Sequence, residues 1–328
     1  MTTTAPLARL DATTSDTMPT IESTGGRAQF FRSFDGAYIR SAHWPAPEAP
    51  GRGGVLILPG RTEFIEKYLE TVAELQRRNL AAWVLDWRGQ GASERILPAA
   101  YKGHIDVFSD YLTDLNIFAT EALRGWNQGP LHILAHSMGS NIGLHFLHDH
   151  PGMIAKAIHI APMICVPARG GIVTLMSRII AESGCAVGLG ARYVPGGHGY
   201  GLRERRFAAN PLTKDEERFW RTHAYIDNDP TLATGPPTLA WLRAGMRSGA
   251  ALLKPAYAQA ISTPSLLICA GDERVVNNRA IYKLHRIGLP GARIEIIPGS
   301  RHEILGEQDH IRAIFWSLFD DFTSAAVS

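Results

Sequence analysis

The sequence predicts a mainly parallel α/β sheet, covered by helices on both faces and interrupted late in the chain by an inserted, mainly helical cap. Three observations predict it. Continuous apolar runs at 55–58, 81–87, 131–135, 155–162 and 265–270 read as strands buried on both faces, not as half-exposed alternating ones. Between them lie stretches with apolar residues three and four apart, so strand and helix alternate as in parallel crossover units. From 163 to 253 that rhythm stops: Gly and Pro are frequent, helical stripes are short and no clear strand is present.

In chain order, residues 1–26 are rich in Thr, Ser, Ala and Pro and read as a disordered lead-in, without the basic and apolar segments of a secretory signal. Runs at 27–34 and 37–44 are short strands joined by Asp35-Gly36, a hairpin turn. The buried strand at 55–58 ends in Pro59-Gly60-Arg61-Thr62-Glu63. A helix with Ile65, Tyr68, Leu69, Val72 and Leu75 on one face follows. The next strand, 81–87, runs into Asp86-Trp87-Arg88-Gly89-Gln90-Gly91-Ala92-Ser93. That stretch lacks the GxGxxG spacing of a dinucleotide loop and reads as a structural turn. A long helix then carries Phe108, Tyr111, Leu112, Leu115, Phe118 and Ala122 on one stripe. The final elements are a helix at 278–287, a strand at 292–297 and a helix with Ile311, Ile314, Phe315, Leu318, Phe319 and Phe322 inward. This divides the chain into a lead-in (1–26), a first core part (27–163), the cap (164–253) and a second core part (254–328).

Composition excludes several classes. The 328 residues carry 33 basic and 31 acidic side chains, net +2, which gives no argument for nucleic acid. No apolar run is long enough to span a bilayer. Cys165, Cys185 and Cys269 are odd in number and far apart, and read as free thiols in a reducing, cytoplasmic compartment. His148 and His150 flank Asp149 without a third converging ligand, so no metal is expected, and nothing calls for a cofactor.

The chemistry centres on Leu131-His132-Ile133-Leu134-Ala135-His136-Ser137-Met138-Gly139. An apolar strand rises into small-x-Ser-x-Gly and a helix follows at once, which is the context a serine nucleophile at a strained turn requires. A serine nucleophile needs a base, and the base an orienting acid. His302 follows the last predicted strand, and Asp272 and Glu273 follow the strand at 265–270. All three positions therefore lie beyond the C-terminal ends of parallel strands, on the edge where open sheets place their sites. On the residues alone either acid can reach. The N–H of Met138 and that of Arg61 are the candidate oxyanion donors. The side chains of Arg61 and Glu63 either line the entrance or pair with each other. His136, directly before Ser137 on a tight turn, reads as packing.

These motifs, in this order, resemble the α/β-hydrolase superfamily over about residues 27–325, in particular its lysophospholipase/monoacylglycerol-lipase branch of bacterial lysophospholipase type. The resemblance is carried by the Gly60 loop, Asp86-x-Arg88-Gly89-x-Gly91-x-Ser93, and Gly103-His104 with Phe108, Tyr111 and Asp114. In the cap it rests on Asn210-Pro211-Leu212-Thr213 and Gly235-Pro236-Pro237-Thr238. It implies an α/β-hydrolase fold and a serine hydrolase acting through an acyl-enzyme on carboxylic esters of lipid-like substrates. Glu273-Arg274-Val275-Val276 fits the family's acid register, which implies Glu273 as the acid with Asp272 as fallback. Three departures stand out: Pro59 for the usual His, Ala135 for the usual Gly, and Glu for the commoner Asp.

The apolar stripe Ile172, Val173, Leu175, Met176, Ile179 and Ile180 reads either as packing of the cap on the core, or as an acyl-chain wall and a face resting on lipid. The second reading gives peripheral contact with the inner membrane face. A short-chain carboxylesterase, an acyltransferase and a non-catalytic binding protein on the same fold are the alternatives.

Overall fold

The computed structural model describes residues 18–99, 101–166, 171–201, 204–289 and 291–324. Strands β1 (Arg27–Arg32) and β2 (Tyr38–Trp44) form the expected hairpin. They are followed by β3 (Gly54–Leu58), β4 (Ala81–Leu85), β5 (Leu131–His136), β6 (Lys156–Ile160), β7 (Ser265–Ala270) and β8 (Arg293–Ile297). All eight join one sheet in the order β1-β2-β4-β3-β5-β6-β7-β8. Strand β2 runs antiparallel to β4, and every pairing from β4 to β8 is parallel.

Every residue of β3 to β7 is buried, as continuous apolar runs require. Their side chains alternate between two cores. Leu56, Leu58, Ile133 and Ala135 face one side with α2 (Ser109–Leu123), α3 (Met138–Asp149) and α8 (Asn278–Gly288). Val55, Ile57, Leu134 and Ile268 face the other with α1 (Leu69–Arg77) and α9 (Asp309–Ser324). The helix expected from Ile65 onward begins instead as a 3-10 turn, Ile65–Tyr68, before α1. That first turn is tied from outside, because Asp86 accepts the Ile65 N–H at 2.9 Å and the Tyr68 hydroxyl donates to Glu63 at 2.5 Å.

Between β6 and β7 lie α4 (Gly171–Ala186), α5 (Glu216–Asn228), α6 (Leu239–Leu252) and the short α7 (Pro255–Gln259). Helix α6 is bound into the first core through Trp241, Ala244 and Leu252. Thr238 caps it and accepts from Trp241 N–H at 3.3 Å. Helix α4 packs closely on α6 through small residues, with Ala181 buried and a Cβ on Gly184 coming within 2.6 Å of Leu239, and Arg247 of α6 donates to Glu182 of α4 at 2.6 and 3.0 Å. The apolar stripe of α4 points the other way. Ile172 is 70% and Ile179 54% exposed, which removes the reading of that stripe as packing.

The disorder expected for 1–26 does not hold for residues 18–26. Ile21 is buried, Thr24 accepts from the Trp44 indole N–H at 3.1 Å, and Pro19 carbonyl accepts from the Tyr225 hydroxyl at 2.9 Å. The apolar side chains of Met18 and Ile21 and these two hydrogen bonds hold the segment, features that a polar composition masks. Residues 1–17 lie outside the described residues.

Three buried histidines make the fold acid-sensitive. Burial pulls His132 and His145 down to about 4 and His159 to about 3, and neither ring nitrogen of His159 has a partner among the described residues. Each is neutral in the fold and charges on unfolding, so their contribution to stability is present above the ordinary value of 6.5 and lost as pH falls below it. Thermal melts from pH 7 to 4.5 should show a progressive fall in Tm. In the variant His159→Leu that fall should be shallower.

Candidate active site

The strand-to-helix turn at Ser137 is strained. Its φ is 50° and ψ −111°, a conformation that costs an ordinary residue on the order of 1–3 kcal/mol. The surroundings hold it there. Ser137 N–H donates to Ile160 carbonyl at 3.0 Å, and Ser137 carbonyl accepts from Ser140 N–H at 3.1 Å and Met163 N–H at 3.0 Å. The small residues around it follow from packing. A Cβ on Gly139 would lie 2.1 Å from Leu58 carbonyl oxygen and 2.5 Å from that of Pro59. Ala135 is tolerated because it faces Gly143, where even an added Cβ would stay 3.8 Å away.

Ser137 Oγ lies 3.0 Å from His302 Nε2. His302 Nδ1 lies 3.1 and 3.0 Å from the two carboxylate oxygens of Glu273. Glu273 is fixed in turn, accepting from Val275 N–H at 2.6 Å and Val276 N–H at 3.1 Å. A carboxylate only accepts, so Nδ1 carries the hydrogen and Nε2 is left to accept from the serine hydroxyl. The structure thus brings Ser137, His302 and Glu273 into one line. It does not bring Asp272 there: that side chain points to solvent, 3.2 Å from Lys214 Nζ and 3.3 Å from Arg274. Both cations hold its carboxyl below the usual range, Lys214 foremost.

The Gly60 loop reaches the same point. Its neighbouring groups are engaged: Pro59 carbonyl accepts from Trp87 indole N–H at 2.7 Å, Gly60 N–H donates to Glu63, and Thr62 N–H to Gln90 Oε1 at 2.5 Å. Arg61 N–H and Met138 N–H have no acceptor among the described residues.

His136 is not the packing residue its position suggested. Nδ1 lies 3.0 Å from a Glu63 oxygen and Nε2 3.1 Å from the carbonyl oxygen of His302. Both partners can only accept, so both nitrogens donate and the ring is an imidazolium. Burial alone would lower its pKa, but the Glu63 carboxylate outweighs burial and raises it. Of the two expectations for Arg61 and Glu63, pairing with each other does not occur, and both side chains line the cavity beside Ser137. Glu63 meets His136, Tyr68 and Lys67, and Lys67 Nζ continues to Glu303 at 2.5 Å. The Arg61 guanidinium instead donates to Gly235 carbonyl at 2.8 Å and lies over Trp241. A sequence clue to this network existed in Glu63, three residues past Gly60, and in a histidine beside the nucleophile. Only the fold shows that the two meet.

The cap fastens the histidine loop. Glu303 N–H donates to Leu212 carbonyl at 2.8 Å, and Arg301 Nη1 to the carbonyls of Asn210 and Thr213 at 3.0 Å each. Above Ser137 opens a cavity of about 580 Å³, walled by Met163, Val173, Met176, Ile180, Trp241 and Leu242.

Residues 49–309 match the model of the Hydrolase_4 family, described as serine aminopeptidase, S33. The chain belongs to the Hydrolase_4 family. Within it, the chain is similar to lysophospholipase L2 of Escherichia coli, 35% identical over 82% of this chain and 79% of that protein. It is also similar to the probable lysophospholipase L2 of Haemophilus influenzae, 28% identical over 86% of this chain and 90% of the other. Among solved structures, a soluble variant of monoglyceride lipase from Saccharomyces cerevisiae has the same fold, with a TM-score of 0.70 at 21% identity, covering 93% of this chain and 97% of that one. The fold class is that of the α/β hydrolases.

Burial lowers the His302 pKa, Glu273 raises it, and the His136 charge lowers it again, for a net value below the ordinary 6.5. If His302 acts as the base it must be neutral, so activity in this Hydrolase_4 chain should then persist below pH 6.5 before the acid limb of kcat/KM sets in. His136→Gln removes a positive charge 4.8 Å, ring to ring, from His302. The acid limb should then move to higher pH in a kcat/KM profile.

Proposed function

We propose that this chain is a serine hydrolase that cleaves carboxylic esters of lipid-like substrates through an acyl-enzyme on Ser137. His302 takes the proton from Ser137 Oγ as the oxygen attacks the ester carbonyl. The N–H groups of Arg61 and Met138 receive the oxyanion. The alcohol leaves with the proton from His302, and water attacks the acyl-enzyme by the same route. Glu273 holds the imidazole in its donating tautomer and stabilises the charged form. The observation that carries this reading is the Glu273–His302–Ser137 line opening onto a largely apolar cavity.

The family description names aminopeptidases, which must hold a substrate ammonium group. Two carboxylates in the cavity wall could do so, Glu63 and Glu303, and both are already matched by Lys67 and His136. An apolar wall with neutralised carboxylates suits an acyl chain better than an amino terminus. The curated relatives named lysophospholipase L2 agree with that preference.

Helix α4 ties the cavity to a surface. The whole stripe is exposed, and three of its members, Val173, Met176 and Ile180, also line the cavity, with Ile172, Leu175 and Ile179 beside them. Among the described residues no helix is long and apolar enough to cross a membrane. The reading is therefore a helix that rests in a lipid surface and feeds an acyl chain inward. The three cysteines are unpaired, which suits the reducing, cytoplasmic side of such a membrane.

Hydrolysis of p-nitrophenyl esters of increasing chain length tests the enzymology. Long chains should be preferred; Ser137→Ala should lose essentially all turnover and Glu273→Ala about 10²-fold or more, with Asp272→Asn close to wild type. Activity limited to short esters would point to a general carboxylesterase, product on an added alcohol in place of acid to an acyltransferase, and no serine-dependent turnover to a binding protein. Vesicle co-sedimentation tests the surface. Ile172→Glu with Ile179→Glu should release the protein from anionic vesicles and lower turnover of vesicle-borne substrate more than that of a soluble ester.

A further inference from the structure

The wall of the proposed substrate cavity holds one cation without a counter-charge. Arg61 is the only arginine or lysine among the described residues lining that cavity. Its guanidinium makes one hydrogen bond, from Nη1 to Gly235 carbonyl at 2.8 Å, and lies 5.6 Å from the ring centre of Trp241. No carboxylate pairs with it among the described residues. The contrast with other arginines is direct. Arg40 and Arg88 are also withdrawn from water, but Asp86 and Glu66 hold the first and Asp114 and Asp35 the second, and both are raised. Arg61 is pulled down to about 10 by burial alone, with only the Tyr111 phenol opposing. It stays charged at neutral pH, and the charges next to it do not offset it: Glu63 and Glu303 are balanced by His136 and Lys67.

A half-buried, unpaired guanidinium in a substrate cavity costs desolvation that an incoming anion would recover. Its position says which anion. The residue's own N–H is the candidate donor to the oxyanion of the scissile ester, so its side chain starts at the reacting carbonyl. It ends a side chain's length away, clamped by Gly235 and Trp241 with the remaining donors of its fork unused. In a lysophospholipid the phosphate stands a glycerol's length from the scissile carbonyl, on the leaving-alcohol side. The forked donor geometry matches phosphate oxygens.

We infer that the Arg61 side chain receives the phosphodiester of a lysophospholipid and so sets a preference for phospholipid over neutral monoacylglycerol esters. This rests on the ester-hydrolase reading above and names its substrate class. The carboxylate of the released fatty acid is the other anion with the required chemistry. The phosphodiester is favoured because Arg61 is the one unbalanced cation of the wall, while Val173, Met176 and Ile180 of α4 give the acyl chain an apolar surface of its own.

The test is a ratio. Wild type, Arg61→Gln and Arg61→Lys are assayed on oleoyl lysophosphatidylethanolamine and monooleoylglycerol, and the kcat/KM values are divided. The ratio should fall at least about tenfold in Arg61→Gln, mostly through KM, and recover in part in Arg61→Lys. Any effect of the substitution on the shared oxyanion loop cancels in the ratio. An unchanged ratio overturns the inference, as does a variant whose sole change is relief of inhibition by oleate, which would assign the fatty-acid carboxylate to Arg61. If Arg61→Gln does not fold, wild type decides: an ether lysophospholipid, which cannot be cleaved, should inhibit ester turnover more strongly than the matching alkylglycerol, and equal inhibition overturns it. Failure of the ester-hydrolase reading looks different: wild type would turn over neither lipid, or the turnover would survive Ser137→Ala.

Discussion

The site depends on how closely the end of β3 approaches the start of α3. Gly139 touches the carbonyl oxygens of Leu58 and Pro59 so tightly that no side chain fits between them. That contact does two things at once. It forces the strand-to-helix turn into the strained conformation that lifts Ser137 out of the sheet, and it carries the Gly60 loop to within reach of the same point. Two backbone N–H groups far apart in sequence, Arg61 and Met138, are left free beside one hydroxyl. The parallel pairing of β3 with β5, from Gly54 opposite Leu131 to Leu58 opposite Ala135, fixes the register that makes this contact. A slip of one residue would turn the whole apolar set of β3 from one core to the other.

Around that turn two histidines sit with rings 4.8 Å apart, and they hold opposite states. His136 lies between a carboxylate and a carbonyl and is charged; His302 lies between a carboxylate and a hydroxyl and is neutral. A second charge on His302 would be repelled by His136 by about 3 kcal/mol at an effective dielectric near 20, an energy of the same order as its attraction to Glu273. The two roughly offset each other, so burial tips the balance toward the neutral imidazole. The Glu63–Lys67–Glu303 chain makes this arrangement tolerable in a buried site. Every charge in it has a partner of opposite sign within hydrogen-bond distance.

The sheet was legible because buried parallel strands are continuous apolar runs, and β3 to β7 stand where those runs do. Glu273 was separable from Asp272 only by family register; in the fold, adjacent side chains on a loop diverge, one to His302 and one to Lys214. What the sequence concealed was polar and long-range. His136 and Glu63 are 73 residues apart, and no local pattern links a turn residue on one strand with a loop residue on another. The apolar stripe of α4 was ambiguous for a different reason. Helical spacing reports that a face is apolar, and says nothing of whether protein covers it. Only the small residues Ala181 and Gly184 on the opposite side settle which way it points.

The cap is built into the site from both sides, which argues against regarding it as a detachable lid. On one side Gly235–Thr238 pairs with the segment after the Asp86 turn: Gly235 N–H donates to Tyr101 carbonyl at 2.7 Å and Thr238 N–H to Gly103 carbonyl at 2.9 Å. On the other, 210–214 grips both neighbours of His302, and Glu307 accepts from Lys214 N–H at 3.0 Å and Arg301 N–H at 2.7 Å. A buried chain through Asn141, Ser248 and His145 then links the helix behind Ser137 to α6. A displacement of the cap as a rigid body would break hydrogen bonds on the histidine loop and behind the elbow together. Helix α4 meets α6 through Ala181 and Gly184 and through the Glu182–Arg247 ion pair near its C-terminal end, at 2.6 Å. Access to the cavity is therefore most cheaply varied at α4, the same helix whose apolar side chains face outward.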